Sequence, residues 1–163
     1  MKEGHNMNDT IFYRCEKCGN IVALIKAGGG TLTCCGQAMT KLQPNSTDAA
    51  IEKHVPVVTN EAGKIKVAVG LVAHPMTAEH YIEWIAFVTG NKVEITYLKP
   101  EMEPKAEFTN YTGETEVIFT GENDEIVPNC EGSPCNFVNR DKVSKEVTVY
   151  AYCNLHGLWK AKQ

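Results

Sequence analysis

The sequence contains no long apolar run, no basic stripe and no stretch with the periodicity of an amphipathic helix. A helix that spans a bilayer needs about 20 mostly apolar residues, and no segment approaches this length. The formal net charge of −4 argues against nucleic acid as the partner, because phosphate binding needs basic side chains. The first ten residues lack the apolar region of a secretory signal. We therefore expect a cytoplasmic protein without a membrane or nucleic-acid partner.

Histidine is scarce, with five residues, whereas cysteine, with seven, is abundant for a reducing compartment. The cysteines are unevenly spread along the chain. Four crowd the first quarter, Cys130 and Cys135 form a pair, and Cys153 stands alone near the end. An odd number of cysteines in a cytosolic chain indicates metal binding rather than a disulfide framework.

Short segments of β-strand character fill most of the chain after residue 50. Several alternate apolar and polar residues with period two, as Ile65, Val67 and Val69 do. Gly-Asn, Lys-Pro and Thr-Gly turns separate several of them, and short strands with regular turns predict an antiparallel sandwich. The seven predicted strands cover residues 55–59, 64–70, 81–89, 92–98, 105–111, 115–120 and 146–153.

We predict an all-β chain of two domains, at residues 1–42 and 51–163. The segment 41–50, KLQPNSTDAA, has the composition of a linker. The domain before it is too short to bury an adequate core, so a bound metal would have to supply part of its folding free energy. The polar segment 121–145 interrupts the strand pattern and is interpreted as a long inserted loop. Its cysteines, Cys130 and Cys135, are a candidate structural or redox-sensitive clip.

The first candidate metal site consists of four cysteines. A Cys-x-x-Cys pair is followed sixteen residues later by two adjacent cysteines, and four thiolates suit a tetrahedral iron or zinc ion. Adjacent ligands distort the tetrahedron, but zinc accepts such a geometry, so the spacing leaves the metal open. The four residues are Cys15, Cys18, Cys34 and Cys35.

The second candidate site combines histidines with one cysteine. Each histidine alone is more often a surface residue, but a sandwich gathers its loops at the ends, where these side chains can converge. Imidazoles with one thiolate suit a mid-to-late first-row metal. Five such ligands leave a sixth position open for a small anion that accepts one electron. The five residues are His54, His74, His80, Cys153 and His156.

At these residues the sequence resembles the superoxide reductases of the desulfoferrodoxin family. The shared motifs are YRCEKCGNIV, TCCGQAM, EKHVPV, AHPMTAEHYIEWI and YCNLHGLW, in the family's order. The match covers residues 11–120 and 146–160. The longer N-terminus, the segment 121–145, and Cys130 with Cys135 depart from the family pattern.

The resemblance implies a desulforedoxin-like domain with a rubredoxin-type iron on the four cysteines, followed by an immunoglobulin-like sandwich with the catalytic iron. It further implies equatorial histidine ligands and Cys153 as the axial ligand. Glu52 would match the carboxylate that occupies the sixth position in the oxidised state. Lys53 would match the lysine that attracts superoxide, which the family reduces to hydrogen peroxide.

The resemblance also implies a homodimer, often with calcium at the interface, and rubredoxin or a similar protein as electron donor. Two other interpretations stay open at this point. One is a zinc-stabilised binding module, and the other is an electron carrier that uses only the four-cysteine site. Neither gives a role to the histidines and Cys153 together.

Overall fold

The computed structural model describes residues 9–61, 64–89, 92–109, 115–119, 135–139 and 147–163. Within these residues nearly every element is a β-strand, and the single helix is one turn, α1 (Ile51–His54). This confirms the predicted all-β class. In the same part of the chain no helix has the length and apolar character that crossing a bilayer requires.

The N-terminal unit is built from short strands around a cysteine-rich loop. A three-stranded antiparallel sheet has the order β2-β1-β5, and β3 and β4 form a separate hairpin. The strands are β1 (Ile11–Arg14), β2 (Ile21–Leu24), β3 (Thr33–Cys34), β4 (Gln37–Ala38) and β5 (Thr40–Lys41). Since Lys41 pairs with Tyr13, the predicted linker began one residue too early.

The second unit consists mainly of two sheets. A three-stranded sheet has the order β10-β7-β6, and a four-stranded sheet has the order β14-β13-β8-β9. Their strands are β6 (Pro56–Glu61), β7 (Lys64–Val69), β8 (Ile82–Thr89), β9 (Lys92–Tyr97), β10 (Lys105–Thr109), β13 (Thr148–Cys153) and β14 (Gly157–Lys162). A further antiparallel pair joins β11 (Thr115–Phe119) to β12 (Cys135–Asn139).

The core lies between the two larger sheets. In β7 the apolar residues alternate, and Ile65, Val67 and Val69 are buried against the facing sheet. By contrast, β8 and β13 are buried along almost their whole length. A strand that is covered on both faces has a nearly continuous apolar sequence, so both faces of these strands must be covered.

The N-terminal unit covers the outer face of the four-stranded sheet. The ring of Phe12 packs on Trp84 and Tyr150, with centroids 5.1 and 5.2 Å apart. The Tyr150 hydroxyl donates a hydrogen bond to Asp9 at 3.1 Å. Lys160 and Lys162 of β14 form salt bridges with the same carboxylate. These contacts hold the two units together.

The segment between the units is also fixed to the sandwich. The Asn45 side-chain amide donates to the Lys160 carbonyl at 3.0 Å and accepts the Lys160 N–H at 2.7 Å. This two-point contact pairs the segment with β14.

Each of the seven predicted strands overlaps an observed one. The sequence pattern did not predict β14, whose sequence GLWKAK alternates poorly, or the single turn of α1. The interpretation of 121–145 as a loop is wrong for Cys135–Asn139, which pair with β11. The proposed clip includes Cys130, which lies outside the described residues. The domain boundaries stay a prediction.

Candidate metal centres

Five ligand-type side chains meet at one end of the sandwich. His54 ends α1, His74 and His80 lie in the connection between β7 and β8, and Cys153 ends β13. His156 lies in the turn from β13 to β14. One nitrogen from each histidine and the Cys153 Sγ atom all lie within 4.8 Å of one another.

The four imidazole rings form a closed square. Neighbouring rings have centroids 4.6 to 4.8 Å apart and are inclined by 78 to 89°. His54 and His80 face each other across the diagonal at 6.0 Å. The order around the square is His54, His74, His80 and His156. Such an arrangement points one nitrogen of each ring toward a common centre.

The hydrogen bonds of His54 and His74 fix which nitrogen faces that centre. Each ring uses its Nδ1 on a backbone carbonyl, that of Ala50 at 2.7 Å and that of Pro75 at 2.6 Å. A metal-bound histidine commonly donates its other N–H in this way, which leaves its Nε2 free. The Nε2 atoms of His74 and His80 are buried and have no hydrogen-bond partner among the described residues, as expected of atoms that bind a cation.

The distances within the site also fit a metal ion. The His54 Nε2 and His156 Nδ1 atoms are 2.8 Å apart. Two ligands at right angles on metal–nitrogen bonds of about 2.0–2.1 Å would be separated by about 2.9 Å. Cys153 Sγ lies 3.6 Å from the same His156 Nδ1. The residues therefore fit a first-row metal held by four imidazoles and one thiolate.

Burial favours the neutral forms of the histidines and of Cys153 in this cluster. Burial lowers the pKa of His74 to about 4, and it also lowers the pKa of His54 and of His80. These imidazoles are neutral at pH 7 and able to bind a cation. Burial raises the pKa of Cys153, although the N–H groups of His156 and Leu155 partly offset this. A bound cation would favour the thiolate.

A close backbone approach holds the turn that carries His54. The N–H of Val72 donates to the Glu52 carbonyl and that of Gly70 to the Val55 carbonyl, both at 3.1 Å. Gly70 has φ +85°, and a Cβ there would lie 2.4 Å from the Val72 oxygen and 2.7 Å from the Lys53 oxygen. Only glycine fits this position.

Trp159 packs directly on the imidazole ring of His54. Its indole stacks on His54, with centroids 4.8 Å apart and planes inclined by 25°, and it is fully buried. Neither Gly70 nor Trp159 was predicted from the sequence to belong to the site. Two sequence features could have pointed to these residues. Gly70 ends a predicted strand, and Trp159 belongs to the HGLW motif.

The predicted residues Glu52 and Lys53 lie in the helical turn directly before His54, and both are exposed. Burial is the main factor that lowers the pKa of His80, and the charge of Lys53 lowers it further. Burial likewise lowers the pKa of His54, which the charge of Glu52 partly offsets. Both charges therefore act on the histidine cluster.

The four predicted cysteines of the N-terminal unit converge as well, with all sulfurs within 4.8 Å of one another. Cys18 and Cys34 have sulfurs 3.6 Å apart, and those of Cys34 and Cys35 are 3.9 Å apart. Sulfurs on bonds of about 2.3 Å around a tetrahedral metal would be about 3.8 Å apart. The structure keeps this cluster separate from the histidine cluster, with no residue in common.

Within this cluster the pKa of Cys15 is lowered, whereas those of Cys34 and Cys35 are raised. The Cys18 N–H is the main factor that lowers the pKa of Cys15, to about 6. Hydrogen bonds with Cys18 and Cys34 raise the pKa of Cys35 to about 12. The Cys35 backbone also has a φ of +52°, which is strained for a residue other than glycine. A metal would remove the penalty on the remaining thiolates.

Comparison with known proteins gives matches over nearly the whole chain. The protein-family model described as Desulfoferrodoxin matches residues 46–162. The family model described as Desulfoferrodoxin, N-terminal domain, matches residues 7–42. Desulfoferrodoxin of Clostridium acetobutylicum is 40% identical over 94% of this chain and 97% of its own. Superoxide reductase of Pyrococcus horikoshii is 36% identical over 75% of this chain and 95% of its own.

A solved structure, the superoxide reductase from Treponema pallidum, has a similar fold. It matches with a TM-score of 0.59 and 25% identity, and the match covers 94% of this chain and 98% of that one. The similarity therefore extends across both units of the chain.

The close approach at Gly70 leads to a prediction for Gly70→Ala. The positive φ alone should cost about 1–2 kcal/mol of stability, and the contacts with two carbonyl oxygens should cost more. The backbone must move to relieve these contacts, and this movement would displace the turn that carries His54. The protein should therefore also lose metal from the histidine site. Chemical denaturation and metal content per chain are the measurements.

Gly28→Ala is the matched control, because a Cβ at Gly28 meets no atom within 4 Å. This variant should keep both the stability and the metal of the parent protein. If Gly70→Ala matched Gly28→Ala in both measurements, the close approach would have no part in forming the site.

Proposed function

The chain belongs to the desulfoferrodoxin family, and from this we propose that it reduces superoxide to hydrogen peroxide at the histidine cluster. One electron and two protons convert superoxide to hydrogen peroxide. The observation that carries the proposal is the convergence of four imidazoles and one thiol within 4.8 Å. A simple electron carrier would not need this second cluster.

We assign iron to both clusters. His54, His74, His80, Cys153 and His156 would hold the catalytic iron. Cys15, Cys18, Cys34 and Cys35 would hold the other iron. Iron held by these residues would supply the single electron, which zinc, having no redox chemistry, could not. The neutral imidazoles and the single thiolate leave a divalent ion with a net charge of about +1, which favours an anionic substrate.

Lys53 is proposed to attract superoxide to the site. The net charge of the protein is −4, so the global field repels an anion. The Lys53 side chain is exposed, and its charge acts on His54 and His80. An ammonium near the site offsets the global repulsion locally and raises the rate of encounter.

Glu52 is proposed to occupy the substrate position when the site is oxidised. Its backbone is held by the hydrogen bond from Val72, whereas its side chain is exposed and makes no hydrogen bond to a described residue. The carboxylate is therefore free to approach or leave the cluster. Its release opens the site for the next substrate.

We further propose a cytoplasmic homodimer, with calcium at its contact and rubredoxin or a similar iron protein as electron donor. A reducing cytoplasm keeps cysteines as free thiols that can bind metal ions. The edge strand β9 supports a contact between copies, because it exposes the apolar side chains of Val93, Ile95 and Tyr97 on one face.

The function test begins with metal content. Protein reconstituted with iron in the absence of oxygen should contain two irons per chain and reduce superoxide in pulse radiolysis. Cys153→Ser should abolish this reactivity. Cys18→Ser should alter the spectrum of the four-cysteine iron and leave most of the reactivity, because the two ligand sets share no residue.

The two cysteine variants serve as controls for each other. Fewer than one iron per chain after reconstitution would contradict the metal assignment. Loss of superoxide reduction in Cys18→Ser protein that retains its second iron would contradict the separate roles of the two clusters.

The role of Lys53 can be tested with Lys53→Ala. The second-order rate constant with superoxide should fall by up to about tenfold at low ionic strength. The rate should also depend less steeply on salt than in the parent protein, because screening acts on the missing charge. Pulse radiolysis across a range of ionic strength measures both quantities.

Lys26→Ala is the matched control, since it changes the net charge equally at an exposed lysine of the N-terminal unit. It should leave the rate nearly unchanged. Glu52→Ala should alter the oxidised visible spectrum while keeping the encounter rate. Equal rates and salt slopes for Lys53→Ala and Lys26→Ala would remove Lys53 from substrate capture.

The dimer is tested by multi-angle light scattering, which should give the mass of two chains. Ile95→Lys should halve this mass, and a calcium chelator should weaken the dimer. Val22→Lys, at another partly exposed apolar side chain, is the control that should stay dimeric. Reduced rubredoxin should be oxidised by the parent protein during turnover. A monomeric parent protein would rule out the dimer.

A further inference from the structure

Asn154 lies between two residues of the histidine cluster, directly after Cys153 and two positions before His156. Its side-chain amide reaches across to the loop that carries His80. The Oδ1 atom accepts the Tyr81 N–H at 3.0 Å, and the Nδ2 group donates to the Glu79 carbonyl at 2.9 Å. Tyr81 and Glu79 are the two neighbours of His80 in sequence. The Asn154 side chain therefore binds the loop on both sides of that histidine.

The backbone adds a third bond to this connection. The Asn154 N–H donates to the Tyr81 carbonyl at 3.2 Å. The peptide groups of His80 itself are held by Thr77, whose hydroxyl accepts the His80 N–H at 3.1 Å and whose N–H donates to the His80 carbonyl at 3.0 Å. Thr77 therefore shapes the turn locally, whereas Asn154 ties the turn to the end of β13.

His80 depends on its backbone more than two of its partners do. The rings of His54 and His74 are each fixed by a hydrogen bond from Nδ1 to a carbonyl. The His80 ring makes no hydrogen bond to any residue in the described part of the chain. Its Nε2 is nevertheless buried and faces the cluster. The position of this ring must therefore follow from the position of residues 79–81.

We propose that Asn154 is a positioning residue of the catalytic metal centre, which sets the place of His80 relative to Cys153 and His156. The inference rests on the proposed function for the identity of the metal. The two ends of the connection are 73 residues apart in sequence, and the amide joins them with one donor and one acceptor. Losing it would free the loop to move away from the other ligands.

The variant Asn154→Ala removes both side-chain bonds. The affinity of the histidine cluster for iron should then fall about 10- to 100-fold, the range seen when groups that support metal ligands are removed, and a chelator should remove the iron faster. The visible band of the ferric thiolate centre should shift in the iron that remains. Asn154→Asp keeps the acceptor for Tyr81 but replaces the donor to Glu79 by a carboxylate oxygen, which the Glu79 carbonyl repels, so this variant should also release iron faster than the parent protein. The four-cysteine iron of the same molecule should not change in either variant.

Asn45→Ala is the matched control, because Asn45 forms the same kind of two-point amide contact with Lys160 on β14. It should lower thermal stability and leave the release of iron and the visible band unchanged. If folded Asn154→Ala and Asn154→Asp released iron no faster than Asn45→Ala, with an unshifted band, the proposal would be overturned.

Iron release and the spectrum are measured without turnover, which separates this proposal from the proposed function. Parent protein that binds two irons and fails to reduce superoxide would overturn the function. The comparison of Asn154 with Asn45 would still decide the role of Asn154.

Discussion

The antiparallel pairing of β8 with β13 is the constraint on which the rest of the molecule depends. One face of this pair forms the sandwich core with residues such as Ile85 and Val149, and the other face receives Phe12 of the N-terminal unit. The pair ends where Cys153 lies opposite Ile82, after a shift in register. That end carries Cys153 on one strand and the His80 loop on the other. Burial of both faces therefore fixes the position of the histidine cluster and of the surface on which the N-terminal unit packs.

Much of this arrangement could be predicted from the sequence. Period-two patterns indicated the strands, and the gathering of loops at the end of a sandwich indicated that the histidines and Cys153 would meet. The choice of nitrogen in each ring could not be predicted, because it depends on the carbonyls of Ala50 and Pro75 in three dimensions. The strand at Cys135–Asn139 was also missed, because its polar surroundings resemble those of a loop.

The two clusters reach metal binding by different physical routes. At the histidine cluster, burial lowers the pKa of His54, His74 and His80 and raises that of Cys153, so the cation itself must favour the thiolate. At the four-cysteine cluster, the low pKa of Cys15 favours one thiolate, while the raised pKa values of Cys34 and Cys35 oppose further ionisation. The strained backbone conformation of Cys35 brings its sulfur and that of the adjacent Cys34 into the same cluster. A bound metal would contribute to folding in both units, because each ligand set contains thiols that resist ionisation until a cation is present.

The packing of Phe12 on Trp84 and Tyr150, with the ion pairs of Asp9, has a consequence for electron flow. The ring contacts of Phe12, the salt bridges of Asp9 and the amide of Asn45 join the N-terminal unit and the following segment to the sandwich. These contacts set the distance between the two clusters within one chain. An electron that crossed this gap would tunnel through a fixed protein medium, and its transfer rate would be insensitive to solvent viscosity.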